Sequence, residues 1–423
     1  MQLTVEQQSI LDGAQGEIHA KIMKTLVMYG ETFNATKMKP VTGAIGHLVT
    51  SFGLSAMKPV YKLMDQLIEA GALSRQPFSV DPRPLDKNVP ANLLQKIYFK
   101  VMYSKQHDYD NQLKKLGILG DNAYTCTCYM DEVGNIPKKG DVLSWAESSA
   151  VVYANSVLGA RCNRNSGIIE LFGSIVGYVP FFGLLTDEGR RAKWIVEVKT
   201  ASKPDAQALG SAIGMKVVEE VPYIKGLDAW IGKELSQDTR DYLKDMGAAA
   251  ASSGAVGLFH AENLTPEAKE HRNALIAPDA QVYVIDDAEI KRVRDSYPNT
   301  WKEKGAEPRL CFVGCPHLSL CQLGAWSEDL LDALKAKGRQ KVAIPTVFTA
   351  SRGVVEALDQ TEESIKLKNA GVVVSYICPL LYMNNPLCGT MPVITNSNKL
   401  RAYTSARYYS DAEILRKISG EAI

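Results

Sequence analysis

Cysteine is scarce in this chain, neither sign of charge is in excess, and no long apolar run goes uninterrupted. Eight cysteines in 423 residues are too few for a disulfide scaffold, so each is left as a core thiol, a nucleophile or a metal ligand. Lys and Arg total 48 against 47 Asp and Glu, a formal charge of +1, which gives no footprint for nucleic acid or an acidic membrane surface. The most apolar stretch, residues 167–185, contains Glu170, Pro180 and four glycines; it reads as a buried helix and loop, not a membrane span. The opening MQLTVEQQSI lacks the basic and apolar regions of a signal peptide, which predicts a reducing, cytoplasmic setting. A Walker A loop, GxGxxG, HExxH and GxSxG are also missing, so several common enzyme classes lose their usual support. What is present, 46% hydrophobic and 22% charged residues, excludes a disordered, collagenous or coiled-coil chain and suffices for two or three cores.

Thr4 and Gln7 form a capping box ahead of an apolar run that Gly13 can close, which predicts an opening helix. Residues 16–75 read as mostly helical text, broken by Pro40 and a Gly-rich patch at 42–53. From about residue 120, short β-type runs (194–200, 254–260, 281–285, 310–314, 342–349, 371–378) alternate with helical runs (205–218, 265–274, 327–337, 353–367). That alternation predicts an α/β architecture of mainly parallel sheets covered on both faces. Composition shifts at 81–90 and 287–307 serve as soft joints. They divide the chain into a mostly helical segment 1–85, a first α/β region 86–290 and a second 291–423.

The cysteines fall in suggestive places. Cys126 and Cys128 follow a β-like run, Cys315 ends the run Leu310-Cys-Phe-Val-Gly-Cys, and Cys378 ends Val372-Val-Val-Ser-Tyr-Ile-Cys. Ligands in open α/β sheets collect beyond strand carboxyl ends, so Cys126, Cys315 and Cys378 can converge on one point; buried core thiols are the plainer reading. No CxxC pair supports zinc. Three thiolates on an iron-sulfur cluster would leave one iron open to act as a Lewis acid on a hydroxyl.

Ser144 and Glu147 read as a second capping box, opening a helix that closes at Gly159. Ser148 and Ser149 would then sit in its first turn, where free N–H groups favour an anion. Arg161 and Arg164 follow the helix as carboxylate partners or ordinary dipole partners. Thr349 and Ser351 lie at one further strand tip, and Thr395, Asn396, Ser397 and Lys399 at another; all are donors for an anion and equally normal turn residues. His47 and His317 are the histidines nearest candidate chemistry, whereas His260 reads as a satisfied core residue.

Taken together, Thr125-Cys126 before Gly134-Asn-Ile-Pro137, Trp145-Ala-Glu-Ser-Ser-Ala-Val-Val-Tyr-Ala-Asn-Ser-Val-Leu-Gly-Ala-Arg161, Gly314-Cys-Pro-His317 and Thr395-Asn-Ser-Asn-Lys399 resemble the aconitase X family from about residue 40 to 405. The resemblance implies an aconitase-like fold of several α/β/α layers around a central metal-cluster site. It further implies that Cys126, Cys315 and Cys378 hold an iron-sulfur cluster with one open iron. Cys128 stands where the pattern has a proline, and Cys162, Cys311, Cys321 and Cys388 have no counterpart. Ser148, Ser149 and Lys399 are expected in catalysis. His47, Glu147, Arg161, Asn163 and Arg164 are expected on the substrate, with Thr349, Ser351, Asn396 and Ser397 on the opposite wall. The implied activity is a hydro-lyase acting on a small hydroxy acid, cis-3-hydroxy-L-proline first and mevalonate 5-phosphate as the alternative; a non-catalytic α/β binding protein is the rival. The family's small swivelling domain has no match here. A separate small subunit is therefore expected to supply it, with a serine as general base.

Overall fold

Leu310–Leu318 is buried at every position, the pattern of a strand covered on both faces, and it forms the centre of a five-stranded parallel sheet. In the computed structural model, which describes residues 1–421, the chain runs outward from this strand through Thr346–Ala350 to Val372–Ser375. It then returns to the other side for Val393–Thr395 and Arg407–Tyr408. Winding thus reverses between Leu310–Leu318 and Val393–Thr395, and open α/β sheets bind ligands at such reversals, beyond the strand carboxyl ends. Cys315 lies on the first of these strands and Lys399 shortly after the second. Gly314 has φ +100° and a Cβ there would meet Thr349 O at 2.4 Å, so only glycine lets the neighbouring strand come this close.

A second parallel sheet runs His260–Ala261, Pro222–Lys225, Ala192–Val198, Ile276–Ile285 in spatial order. Its covering helices Ala206–Val217 and Gln237–Ser253 lie almost backbone to backbone. A Cβ at Gly210 would sit 2.1 Å from Met246 O, and one at Gly214 2.4 Å from Ala250 O. The predicted strand at 254–260 survives only as His260–Ala261. The reason is that side chains take its hydrogen bonds: Asn155 Nδ2 donates to Gly257 O and Phe259 N donates to Ser156 Oγ. The helical run 353–367 is likewise two helices, Arg352–Asp359 and Glu362–Asn369.

In the N-terminal part, the Thr4/Gln7 capping box opens Val5–Leu11 as expected. Ile22, Met64, Phe78, Leu113 and Leu171 share one apolar cluster. On it rests a small parallel pair, Gly46–Leu48 with Phe78–Val80, extended by single bridges from His47 to Trp145 and from Val80 to Tyr124. Among the described residues no helix is long and apolar enough to cross a membrane.

Candidate active site

These short parallel segments set four carboxyl ends side by side, and Asp81, Cys126 and Glu147 each follow one of them within two residues. The reversal point of the five-stranded sheet supplies Cys315, Ser397 and Lys399. Cys378 is the N-cap of the helix Pro379–Met383.

Charge ties the two groups together. Lys399 Nζ is ion-paired and hydrogen-bonded to Glu147 Oε1, with the two side chains 14% and 4% exposed. Burial disfavours the ammonium, but Glu147, with Cys315, Asp81 and Cys126, raises its pKa well above the ordinary value. Burial likewise disfavours the Glu147 carboxylate; Lys399, the Ser149 hydroxyl and the Ala150 N–H at 2.8 Å outweigh it and hold the pKa low. The pair is therefore charged, and well bonded for one so deeply placed.

The three thiols all feel the charge of this lysine. Burial pushes all three up, Cys378 to about 12; Cys315 raises both Cys126 and Cys378, and Lys399 lowers all three. Nearby polar groups pull in the same direction as Lys399: the His317 N–H lowers Cys126, the Ser397 hydroxyl lowers Cys315 and the Leu381 N–H lowers Cys378. None is in a disulfide. Among the described residues no three His, Cys, Asp or Glu side chains close tightly enough for a single ion. A polynuclear iron-sulfur cluster spreads its thiolates over separate irons, and three free thiols on a loop, a strand and a helix start, with Cys315 near enough to raise both of the others, suit that donor set.

The helix carrying the Ser-Ser pair begins differently from expectation. Ser144 does not cap it; its Oγ lies 2.7 Å from Glu170 O and 2.8 Å from Glu170 Oε2. Glu147 itself is the N-cap of Ser148–Tyr153, at φ 86°, with its side chain accepting from Ala150 N. That places Ser149 against Glu147, whereas Ser148 faces a cavity of about 520 Å³ shared with Glu147, Asn163, Arg164, Tyr29 and Glu219. Arg164 makes no ion pair among the described residues, and burial lowers its pKa. Asn163 holds the cavity's wall, donating to Phe182 O at 3.0 Å and accepting from Leu184 N at 2.8 Å. A cavity of about 640 Å³ beside Arg240 and Asp241 is lined by Cys321 and, like the first, by none of Cys126, Cys315 and Cys378; only the first is lined by Glu147, the partner of Lys399.

Other expected residues lie apart or serve as supports. Arg161 pairs with Asp187 at 2.5 Å and donates to Leu185 O at 3.0 Å, away from Lys399. Asn396 donates to Asp411. Thr349 is bonded to Gly314 O, Ser351 caps Arg352–Asp359, and Ser397 donates to Cys315 O, so these hydroxyls brace the strand of Cys315. His47 is buried between Ser79 Oγ at 2.9 Å and Asp81 Oδ1 at 3.7 Å. Against burial, Cys128 and Asp81 raise its pKa to about 10. Cys128 thus faces His47, not the three thiols. Asp81 was missed from sequence, although an acid directly after the apolar run Phe78-Ser-Val and before Pro82 is a strand-end signal.

A parallel-sheet reversal that gathers three free thiols, a buried Lys–Glu pair and an adjoining cavity defines an aconitase-like α/β protein. The chain belongs to the aconitase X family: models of that family's first, second and third domains match residues 1–188, 192–295 and 308–416. It is 31% identical over 411 residues to the phosphomevalonate dehydratase large subunit of Thermococcus kodakarensis, covering 95% of each chain. The protein of the same name from Methanocaldococcus jannaschii is 30% identical, with 95% of each covered. The cis-3-hydroxy-L-proline dehydratase of Pseudomonas aeruginosa is 30% identical over 66% of this chain and 47% of its own length. The crystal structure of Thermococcus kodakaraensis aconitase X in its holo-form superposes with a TM-score of 0.80 at 29% identity, covering 99% of this chain and all of that one.

Proposed function

We propose that this chain is the large subunit of a two-chain hydro-lyase that removes water from a small hydroxy acid, cis-3-hydroxy-L-proline in the first instance, giving 1-pyrroline-2-carboxylate. End-to-end likeness to relatives named large subunits supports a small-subunit partner. The observation that carries the substrate class is the cavity beside Glu147, which offers one unpaired guanidinium, Arg164, with the carboxylates of Glu147 and Glu219 nearby. One cation and flanking acids match one carboxylate and one ammonium, the charges of an amino acid. A second reading, mevalonate 5-phosphate, is supported by the relatives matched over 95% of their length. Its additional phosphate has no second unpaired cation among the residues that line the cavity.

Cys126, Cys315 and Cys378 would hold the cluster, which when bound supplies a Lewis acid for the leaving hydroxyl. The protein's share is positioning. Arg164 takes the carboxylate, Ser148 offers a hydroxyl at the cavity edge, and Lys399, kept cationic by Glu147, stabilises negative charge that develops as the α-proton leaves. The base, a serine, comes from the small subunit. Eight free cysteines suit the reducing cytoplasm as the setting. Anaerobically reconstituted enzyme, with the small subunit added, is assayed on cis-3-hydroxy-L-proline and on mevalonate 5-phosphate. Turnover of the first alone is expected. Turnover of the second alone establishes the other reading, and no turnover of either by iron-loaded enzyme sinks both.

A further inference from the structure

The helix Leu93–Met102 is built to be covered on two sides, yet only one is covered. Phe99 and the following Tyr103 pack on Tyr382 and Leu381, and Gln95 donates to Cys388 Sγ. The opposite face leaves Leu93 73%, Leu94 67%, Ile97 54% and Val101 66% exposed, with Tyr98 beside them. Spacings of one, four, five and eight residues put all five on one stripe. Beside the stripe lies an apolar groove of about 650 Å³ that includes Leu85, Val89 and Phe99. Capping by Asn92 and Gln95 fixes the helix start, so the stripe is not a frayed end.

We infer that this stripe and groove form the seat of the small subunit, on which it docks through an apolar patch with an acidic rim. The assignment rests on the two-chain reading above. Area fits: the five side chains expose on the order of 500 Å², a large part of the ~800 Å² each partner gives to a standard interface. Charge selects the partner. Lys87, Lys96 and Lys100 border the stripe and groove and make no ion pair among the described residues. A second copy of this chain would bring these lysines face to face, whereas an acidic rim satisfies them. Position fits as well. The loop that walls the groove also reaches the thiol site, since Arg83 O accepts from Cys378 N at 3.0 Å and Asp86 accepts from Ser375 Oγ at 2.8 Å. A subunit seated here lies next to the chemistry it must complete.

The test is titration of the co-expressed small subunit against the iron-loaded large subunit, comparing wild type, L94D/I97D and K96E/K100E. Both double variants are expected to weaken binding at least 30-fold, with iron content and melting temperature unchanged. Wild-type binding retained by both overturns the surface assignment and leaves the two-chain reading standing. A wild-type large subunit that turns over fully alone and binds no small subunit overturns both. Sedimentation with anionic vesicles or a dimer in light scattering, abolished by L94D/I97D while small-subunit binding persists, also overturns the assignment in favour of a membrane or a second copy.

Discussion

His317 Nδ1 accepts a hydrogen bond from Thr125 Oγ1 at 3.0 Å, fastening the loop of Cys126 to the strand of Cys315. Its Nε2–H donates to Ile377 O at 3.0 Å, next to Cys378. Burial holds the ring's pKa down to about 4, so it is neutral at physiological pH and this tautomer satisfies both partners. One imidazole thus joins all three thiol-bearing segments.

Replacing His317 with alanine should therefore release the segments from one another without removing a thiol. Expected is loss of most of the iron per chain and of visible absorption, with the far-ultraviolet circular dichroism spectrum retained. Asparagine, which can keep at most one of the two bonds, should fall between. Full iron occupancy in the alanine variant would show that the fold alone holds the loops.

Glu147 and Lys399 form a buried pair, and removing one member leaves the other's charge without compensation. Lys399→Met and Glu147→Gln should each destabilise by about 3–5 kcal/mol, and the double variant by clearly less than the sum. Urea unfolding of the four proteins measures the coupling. Turnover should drop by about 10²-fold or more in each single variant, if the lysine stabilises developing charge. Additive stability effects would mean that the two side chains do not act as a pair.

Parts of this arrangement were legible in the sequence because they depend on local text. Apolar runs broken by helical text gave away the parallel sheets, and Cys315, Cys378 and Lys399 lie at or shortly past the ends of such runs. What stayed hidden depends on distant partners. Arg161 looks like a carboxylate ligand until Asp187 and Glu267 arrive from other loops. Residues 254–260 read as a strand until Asn155 and Ser156 take their backbone bonds. Ser144 reads as a cap until Glu170 claims its hydroxyl. In each case a long-range polar contact outweighed a local preference.

Among the described residues, Arg164 is the only cation lining the cavity beside Ser148, so its loss should be felt at substrate binding. Arg164→Gln is expected to raise KM by 10- to 100-fold, about 1.4–2.7 kcal/mol, with a smaller change in kcat. Arg161→Gln should leave KM nearly unchanged, since that side chain is committed to Asp187. Equal effects of the two substitutions on KM would remove the carboxylate assignment. Steady-state kinetics on the reconstituted two-chain enzyme measure both.

Glu170, in the first turn of Gly167–Val176, is 1% exposed, and its Oε1 has no hydrogen-bond partner among the described residues. Burial raises its pKa to about 8, against the pull of the Ser144 hydroxyl 2.8 Å from Oε2. In the unfolded chain the same carboxyl titrates near 4.3. Between those values the folded protein holds a proton that the unfolded chain has released, so stability is full below about pH 4.3 and declines as pH rises towards 8. Above that the cost is constant. His260 and His317, both lowered to about 4, act with the opposite sign between about 4 and 6.5. The comparison must therefore be between wild type and Glu170→Gln, which carries no ionisable group but keeps the shape. The glutamine variant should gain stability relative to wild type as pH goes from 5 to 9, by on the order of a few kcal/mol. Parallel melting-temperature curves for the two proteins across that range would mean that Glu170 stays ionised in the folded chain.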